Sequence, residues 1–199
     1  MVVTLRLVVI AITVAFVSGI SRAQDVDRAV DLYNKADYSE AESELRKAVQ
    51  AKSDDARANR YLGLALLDQG KISEAEPFLR KANEIESSGE TKGALARLYA
   101  EQKDFDKAEA ALEGASGSDA AYARGLVHFQ KKEWEAAARE LDSFLETHPK
   151  HAYAHYFAGM AYNGARRKDK MLTHFEHFLR LKPDAPEAKA VRAILQTGR

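Results

Sequence analysis

Tyr38-Ser39-Glu40-Ala41 opens a phrase that recurs as Ile72-Ser73-Glu74-Ala75, Phe105-Asp106-Lys107-Ala108 and Trp134-Glu135-Ala136-Ala137. Each copy begins with a large apolar residue and carries Ala three positions later, and Leu45, Leu79, Leu112 and Leu141 follow four residues after those alanines. Ala48, Ala82 and Ala115 come three residues further on, with Phe144 in that place in the fourth copy. Residues three and four apart share one face of a helix. The phrase therefore predicts the buried stripe of a helix, with a small residue at its centre to admit a close neighbour. Successive alanines lie 34, 33 and 29 residues apart, and Met171 takes the same slot 34 residues later, followed by Phe175 and Phe178.

A second pattern precedes each stripe. Leu62-Gly63 with Leu66 matches Ala158-Gly159 with Tyr162, while Gly125 and His128 fill the same places in the fourth copy and Ala96 and Tyr99 in the third. Glycine inside a helix costs about 1 kcal/mol against alanine, so its recurrence predicts close helix–helix contact. Gln69-Gly70-Lys71 and Gln102-Lys103-Asp104 mark turns between paired helices, and Pro149 and Pro183 close the fourth and fifth copies, where a helix must stop.

These residues resemble the tetratricopeptide-repeat family, whose helix-turn-helix unit has this length and ends in Pro. The resemblance covers roughly residues 25 to 183 and departs from the family at its early Trp, replaced by Asn59, Lys92, Ala121 and His155. It implies an all-α right-handed superhelix, an α-solenoid of about five helix pairs. Gly114-Ala115-Ser116-Gly117-Ser118 truncates the second helix of the third copy, which predicts a bend or a break between two subgroups. From Pro186 to Thr197, Ala188, Val191, Ala193, Ile194 and Leu195 form a last amphipathic helix. It is expected to cap the terminal repeat, within a segment of residues 184–199 that follows an array over 24–183.

Residues 1–23 stand apart from the array. Arg6 precedes an apolar run from Leu7 to Val17 broken only by Thr13, and Ser21-Arg22-Ala23 places small residues three and one positions before Gln24. That order describes a secretory signal peptide, and the run is short for a bilayer span of ~20 residues. The expectation is an exported protein, periplasmic or secreted, with a retained N-terminal anchor as the alternative and the only route to membrane contact.

Thirty basic and thirty acidic residues leave no net charge, which offers no field for non-specific nucleic-acid binding. With no cysteine, thiolate catalysis, zinc–thiolate sites and disulfides are excluded. Nothing matches a phosphate loop, a nucleophile elbow or a paired-acid catalytic motif. The expectation is a non-catalytic adaptor or scaffold that needs no cofactor and binds a protein or peptide partner, with self-association left open.

The family resemblance further implies that certain positions on the first helix of each pair line a concave groove. Here they include Arg57, Arg60, Leu64, Arg97, Tyr122, Phe129, Tyr153, Tyr156, Met160 and Asn163. A shift of register would instead bury several of them between repeats. Five of the six histidines lie between His148 and His177. His151 with His155 and His174 with His177 have the spacing that puts two imidazoles on one helical face, an alternative metal-binding or metal-delivery site set against ordinary polar histidines. Arg166-Arg167-Lys168 with Lys170 form a basic run at the last turn, expected to be solvated.

Overall fold

The computed structural model describes residues 25–197; the expected signal peptide of residues 1–23 lies outside them. Among the described residues every regular element is a helix. They are α1 (25–34), α2 (Tyr38–Ala51), α3 (Ala56–Asp68), α4 (Ile72–Ile85), α5 (Gly89–Glu101), α6 (Phe105–Leu112), α7 (Ser118–Gln130), α8 (Trp134–Thr147), α9 (Ala152–Gly164), α10 (Lys168–Leu181) and α11 (Ala188–Thr197). No helix among the described residues is long and apolar enough to cross a membrane.

The helices pack as two compact units, one ending at Ile85 and the other starting at Glu86. In the N-terminal unit α3 packs on both α2 and α4. Ala41 and Leu45 of α2 and Ala75, Leu79 and Ala82 of α4 are buried, as the recurring stripe requires. Gly63 is what lets α3 sit on α4: a Cβ there would lie 2.4 Å from Leu79 Cγ. Val26 and Val30 of α1 join Ala58 in a second apolar cluster of this unit, against Ala48, Val49 and Tyr61.

In the C-terminal unit α5–α6, α7–α8 and α9–α10 form three helix pairs, and α5 also packs directly against α7. The short α6 explains that contact. The chain after Leu112 folds back, with the Ser116 amide donating to the Gly89 carbonyl at 2.8 Å. Gly93 accepts this crossing because a Cβ there would lie 2.7 Å from Ser116 O. The glycine-rich stretch 114–118 is therefore no break between subgroups; it lies inside one unit, and the division falls at Ile85/Glu86. At the other end α11 packs on α10, and Ala188 and Val191 enter the core of Met171, Phe175 and Phe178. Its helical bounds begin at Ala188 rather than Pro186, and Ala193 faces solvent rather than the core.

One turn chemistry serves all five pairs. Ala36, Gly70, Lys103, Lys132 and Arg166 adopt left-handed φ of 66°, 76°, 62°, 60° and 59°. The residue after each donates its amide to the carbonyl five back, as in Lys71 to Leu66 and Glu133 to His128, both at 2.9 Å. The left-handed residue itself bonds three back, as in Gly70 to Leu67 at 2.8 Å. This Schellman arrangement satisfies carbonyls that a helix end would otherwise orphan. At the other ends, Asp55 caps α3 through the Ala58 amide, Asp104 caps α6 through the Lys107 amide, and Ser88 and Thr91 form a reciprocal box on α5.

Candidate partner-binding faces

The predicted groove residues separate into three groups once the helices are packed. Leu64, Arg97 and Tyr122 belong to the core, at 1%, 0% and 2% exposure. Helix α3 is covered on several sides, so Leu64 points into its unit.

Arg97 on α5 is the most informative correction. Its Nε donates to Glu101 Oε1 at 2.9 Å and its Nη1 to Asp119 Oδ1 on α7 at 3.0 Å. The guanidinium lies 5.1 Å from the Tyr122 ring centroid and 5.6 Å from that of Phe144. Burying a cation is costly unless it is paired and hydrogen-bonded, and here two carboxylates and two aromatic faces surround it. Arg97 and Tyr122 therefore join α5, α7 and α8 instead of facing a partner.

On the N-terminal unit, Arg57 is exposed and Arg60 half-buried. Arg57 pairs with Asp27 of α1, and its guanidinium lies 6.0 Å from the Tyr61 ring, with that of Arg60 4.7 Å from the same ring. Tyr33 meets Tyr61 edge to face at 5.4 Å. The result is a small cationic and aromatic patch.

The C-terminal unit carries the larger apolar face. Tyr153, Tyr156, Met160 and Asn163 follow a 3, 4, 3 spacing along α9, so they share one side of the helix. The first three are half-buried and Asn163 is exposed. Tyr153 and Tyr156 lie 6.4 Å apart and rest on Phe178 of α10 at 6.0 and 5.2 Å. Phe129 of α7, also half-buried, meets Phe157 at 5.4 Å and Trp134 at 5.5 Å. Tyr153 donates to Glu187 at 3.4 Å, and Lys182 Nζ lies 5.0 Å over its ring. Burial first and then the Glu187 charge raise both phenols above the usual tyrosine range, so each keeps its O–H donor at neutral pH.

Tyr61 and Phe157 were missed as face residues, although each lies one helical step of four from a predicted one, Arg57 and Tyr153 respectively. Glu187 comes from the segment after the array and Lys182 from the C-cap of its last helix, and neither carried a comparable signal.

Three of the four candidate metal histidines come together, while His151 is engaged elsewhere. His151 caps α9, its Nδ1 accepting the Ala154 amide at 3.0 Å, and its ring packs 5.1 Å from both Tyr122 and Phe144. Because Nδ1 accepts, Nε2 carries the ring proton. Its 3.3 Å approach to Arg97 Nη2 therefore sets donor against donor, a contact and not a bond. His155, His174 and His177 meet between α9 and α10, with His155 and His177 stacked at 4.8 Å. Among the described residues no three His, Asp or Glu side chains are arranged to hold a metal ion. The run Arg166, Arg167, Lys168 and Lys170 is exposed, and Lys170 reaches Tyr162 Oη at 3.0 Å.

The chain matches a tetratricopeptide-repeat family model over residues 26–89 and 122–186, more than half its length, and a second such model over residues 66–127. No curated protein sequence matches it. Among solved structures it is similar to PilF of Pseudomonas aeruginosa, at 17% identity over 88% of this chain and 84% of that one, with a TM-score of 0.55. It is also similar to the Cut9–Hcn1 hetero-tetramer of the APC/C, at 15% identity over 82% of this chain and 34% of that one, with a TM-score of 0.57. A structure of MamA aligns at 22% identity over 86% and 96% of the two chains, with a TM-score of 0.47. At these identities the likeness concerns the fold alone.

Proposed function

Since this chain belongs to the tetratricopeptide-repeat family, we propose that it is a non-catalytic adaptor that captures a peptide or helix of a partner protein on the α9 face of its C-terminal unit. The family supports a protein-interaction role in general, and its members are generally scaffolds rather than catalysts. The carrying observation is the strip Tyr153, Tyr156 and Met160, half-buried at one-face spacing and flanked by Phe129, Glu187 and Lys182. Aromatic and Met side chains supply large contact areas, and phenolic tips add directed hydrogen bonds. Arg57 and Arg60 give the N-terminal unit a separate place to pair acidic side chains.

The proposal includes export, on the strength of the charged, apolar and small-residue order of residues 1–23. The partner is then a protein of the periplasm or the secretory route. Crosslinking and affinity capture of the tagged protein from its native envelope fraction tests this. A reproducible partner that is lost with Tyr153→Ala plus Tyr156→Ala, at unchanged helicity, is expected. Capture that survives the double substitution removes the α9 strip from the mechanism.

A further inference from the structure

His155 Nδ1 and His174 Nδ1 lie 3.1 Å apart, at hydrogen-bonding distance. The other ring nitrogens decide what can lie between them. His155 Nε2 is 3.0 Å from the Pro149 carbonyl, an acceptor only, so Nε2 carries a proton there. In a neutral ring that leaves His155 Nδ1 with a lone pair. His174 Nε2 lies 3.2 Å from Asp142 Oδ1, at ion-pair distance. That oxygen is buried and accepts no aligned hydrogen bond. With both Nε2 atoms protonated and both rings neutral, two lone pairs would face each other across 3.1 Å. A proton on His174 Nδ1 removes the repulsion, and it is donated to His155 Nδ1.

We propose that the His155–His174 pair is an acid-sensitive clasp, which holds α10 against α9 and α8 while it carries one shared proton and opens when it takes a second. The second proton falls on His155 Nδ1 and turns the acceptor into a donor, so the bond to His174 is lost. It also adds a positive charge beside the rings of His174 and His177. Asp142 on α8 is the carboxylate that faces His174. His174 faces its Oδ1, while Tyr162 of α9 donates to Oδ2 at 2.5 Å and Lys170 of α10 lies 3.7 Å from that same oxygen. His177 of α10 stacks on His155, and His151 lies one turn back on α9.

The electrostatics run the same way. Burial first, and then the charges of His174, His177 and His151, lower His155 to about 4, with the Pro149 carbonyl pulling against them. Burial alone would raise Asp142, yet His174, Tyr162 and Lys170 hold it below the usual carboxylate range, so it remains an anion in mild acid. A histidine lowered in the closed form is bound more tightly by protons in the open form. Opening by proton uptake at His155 is therefore negligible above the ordinary histidine value of 6.5 and grows as pH falls from there toward about 4. Phe178 of the same helix backs Tyr153 and Tyr156. If those tyrosines hold the partner, as proposed above, acid slackens capture, but the clasp itself is read without any partner.

Amide hydrogen exchange of the full-length chain at pH 7 and pH 5, with chelator present, tests the clasp. Protection factors in α10 are expected to fall about tenfold between the two. His155→Asn keeps an acceptor near Nδ1 and cannot take the second proton, and its α10 protection is expected to stay level. Level wild-type protection, or an equal fall in the Asn variant, overturns the proposal. Should that variant fail to fold, nitrogen-resolved NMR of the wild-type imidazoles at pH 6 decides. A proton on His174 Nδ1 with His155 protonated on Nε2 alone is expected; a proton resident on His155 Nδ1 overturns it.

Discussion

Gly125 of α7 sits so close to Leu141 of α8 that a Cβ at this glycine would lie 2.7 Å from Leu141 Cγ. The same relationship holds between Gly159 and Phe175, at 2.5 Å from Cδ1. Mid-helix glycine is thus set by the opposing side chain.

Gly125→Ala should destabilise the C-terminal unit by about 1–3 kcal/mol, the usual cost of overpacking a dense core. In a helix with open space the same change should stabilise by ~1 kcal/mol. The sign of the shift in urea midpoint therefore checks the contact directly.

Arg97→Met should cost about 3–5 kcal/mol, because it strands the buried Asp119 carboxylate without its partner. Adding Asp119→Leu should recover much of that loss. A surface-lining arginine would show neither effect, so chemical denaturation of the single and double variants separates core from groove.

Lys132→Gly should stabilise by ~0.5–1 kcal/mol. The left-handed φ of 60° strains a residue with a Cβ, and Lys132 is exposed in its turn. Lys103→Gly is expected to act alike in the next pair of the same unit, and the two melting-temperature gains should add.

Glu42→Gln should destabilise the N-terminal unit at pH 7 by ~1 kcal/mol, discounted for solvent screening. Burial works to raise Glu42, but hydrogen bonds from Lys71, Arg46 and Gln69 outweigh it and lower it to about 2. A carboxylate lowered on folding stabilises above its unfolded value of 4.5, and that contribution fades as pH falls toward about 2. The difference between wild type and variant should shrink across the same window in acid-titration melts.

Much of the architecture was legible because burial imposes a period. Ala41, Ala75, Ala108, Ala137 and Met171 recur, and all five are buried as the stripe requires. The turns were only half legible. Gly70 announces its left-handed position, whereas Lys103, Lys132 and Arg166 do the same work without a glycine, since the two backbone bonds of each turn outweigh the strain. The groove was least legible. Arg57 and Arg97 look alike in sequence, yet one is exposed and the other fully buried, and the difference lies in Asp119, Tyr122 and Phe144 of other helices.

What the amino-acid order determined by itself was the local pattern: helix, turn and stripe, repeated because each amphipathic pair must bury one side. What only tertiary packing decided was which residues of that pattern meet. It set the division at Ile85/Glu86, the crossing of the 114–118 loop over α5, the burial of Arg97 and the facing of His155 on His174. Periodicity specifies the direction of a side chain around its own helix, whereas the partner that receives it depends on how closely another helix approaches.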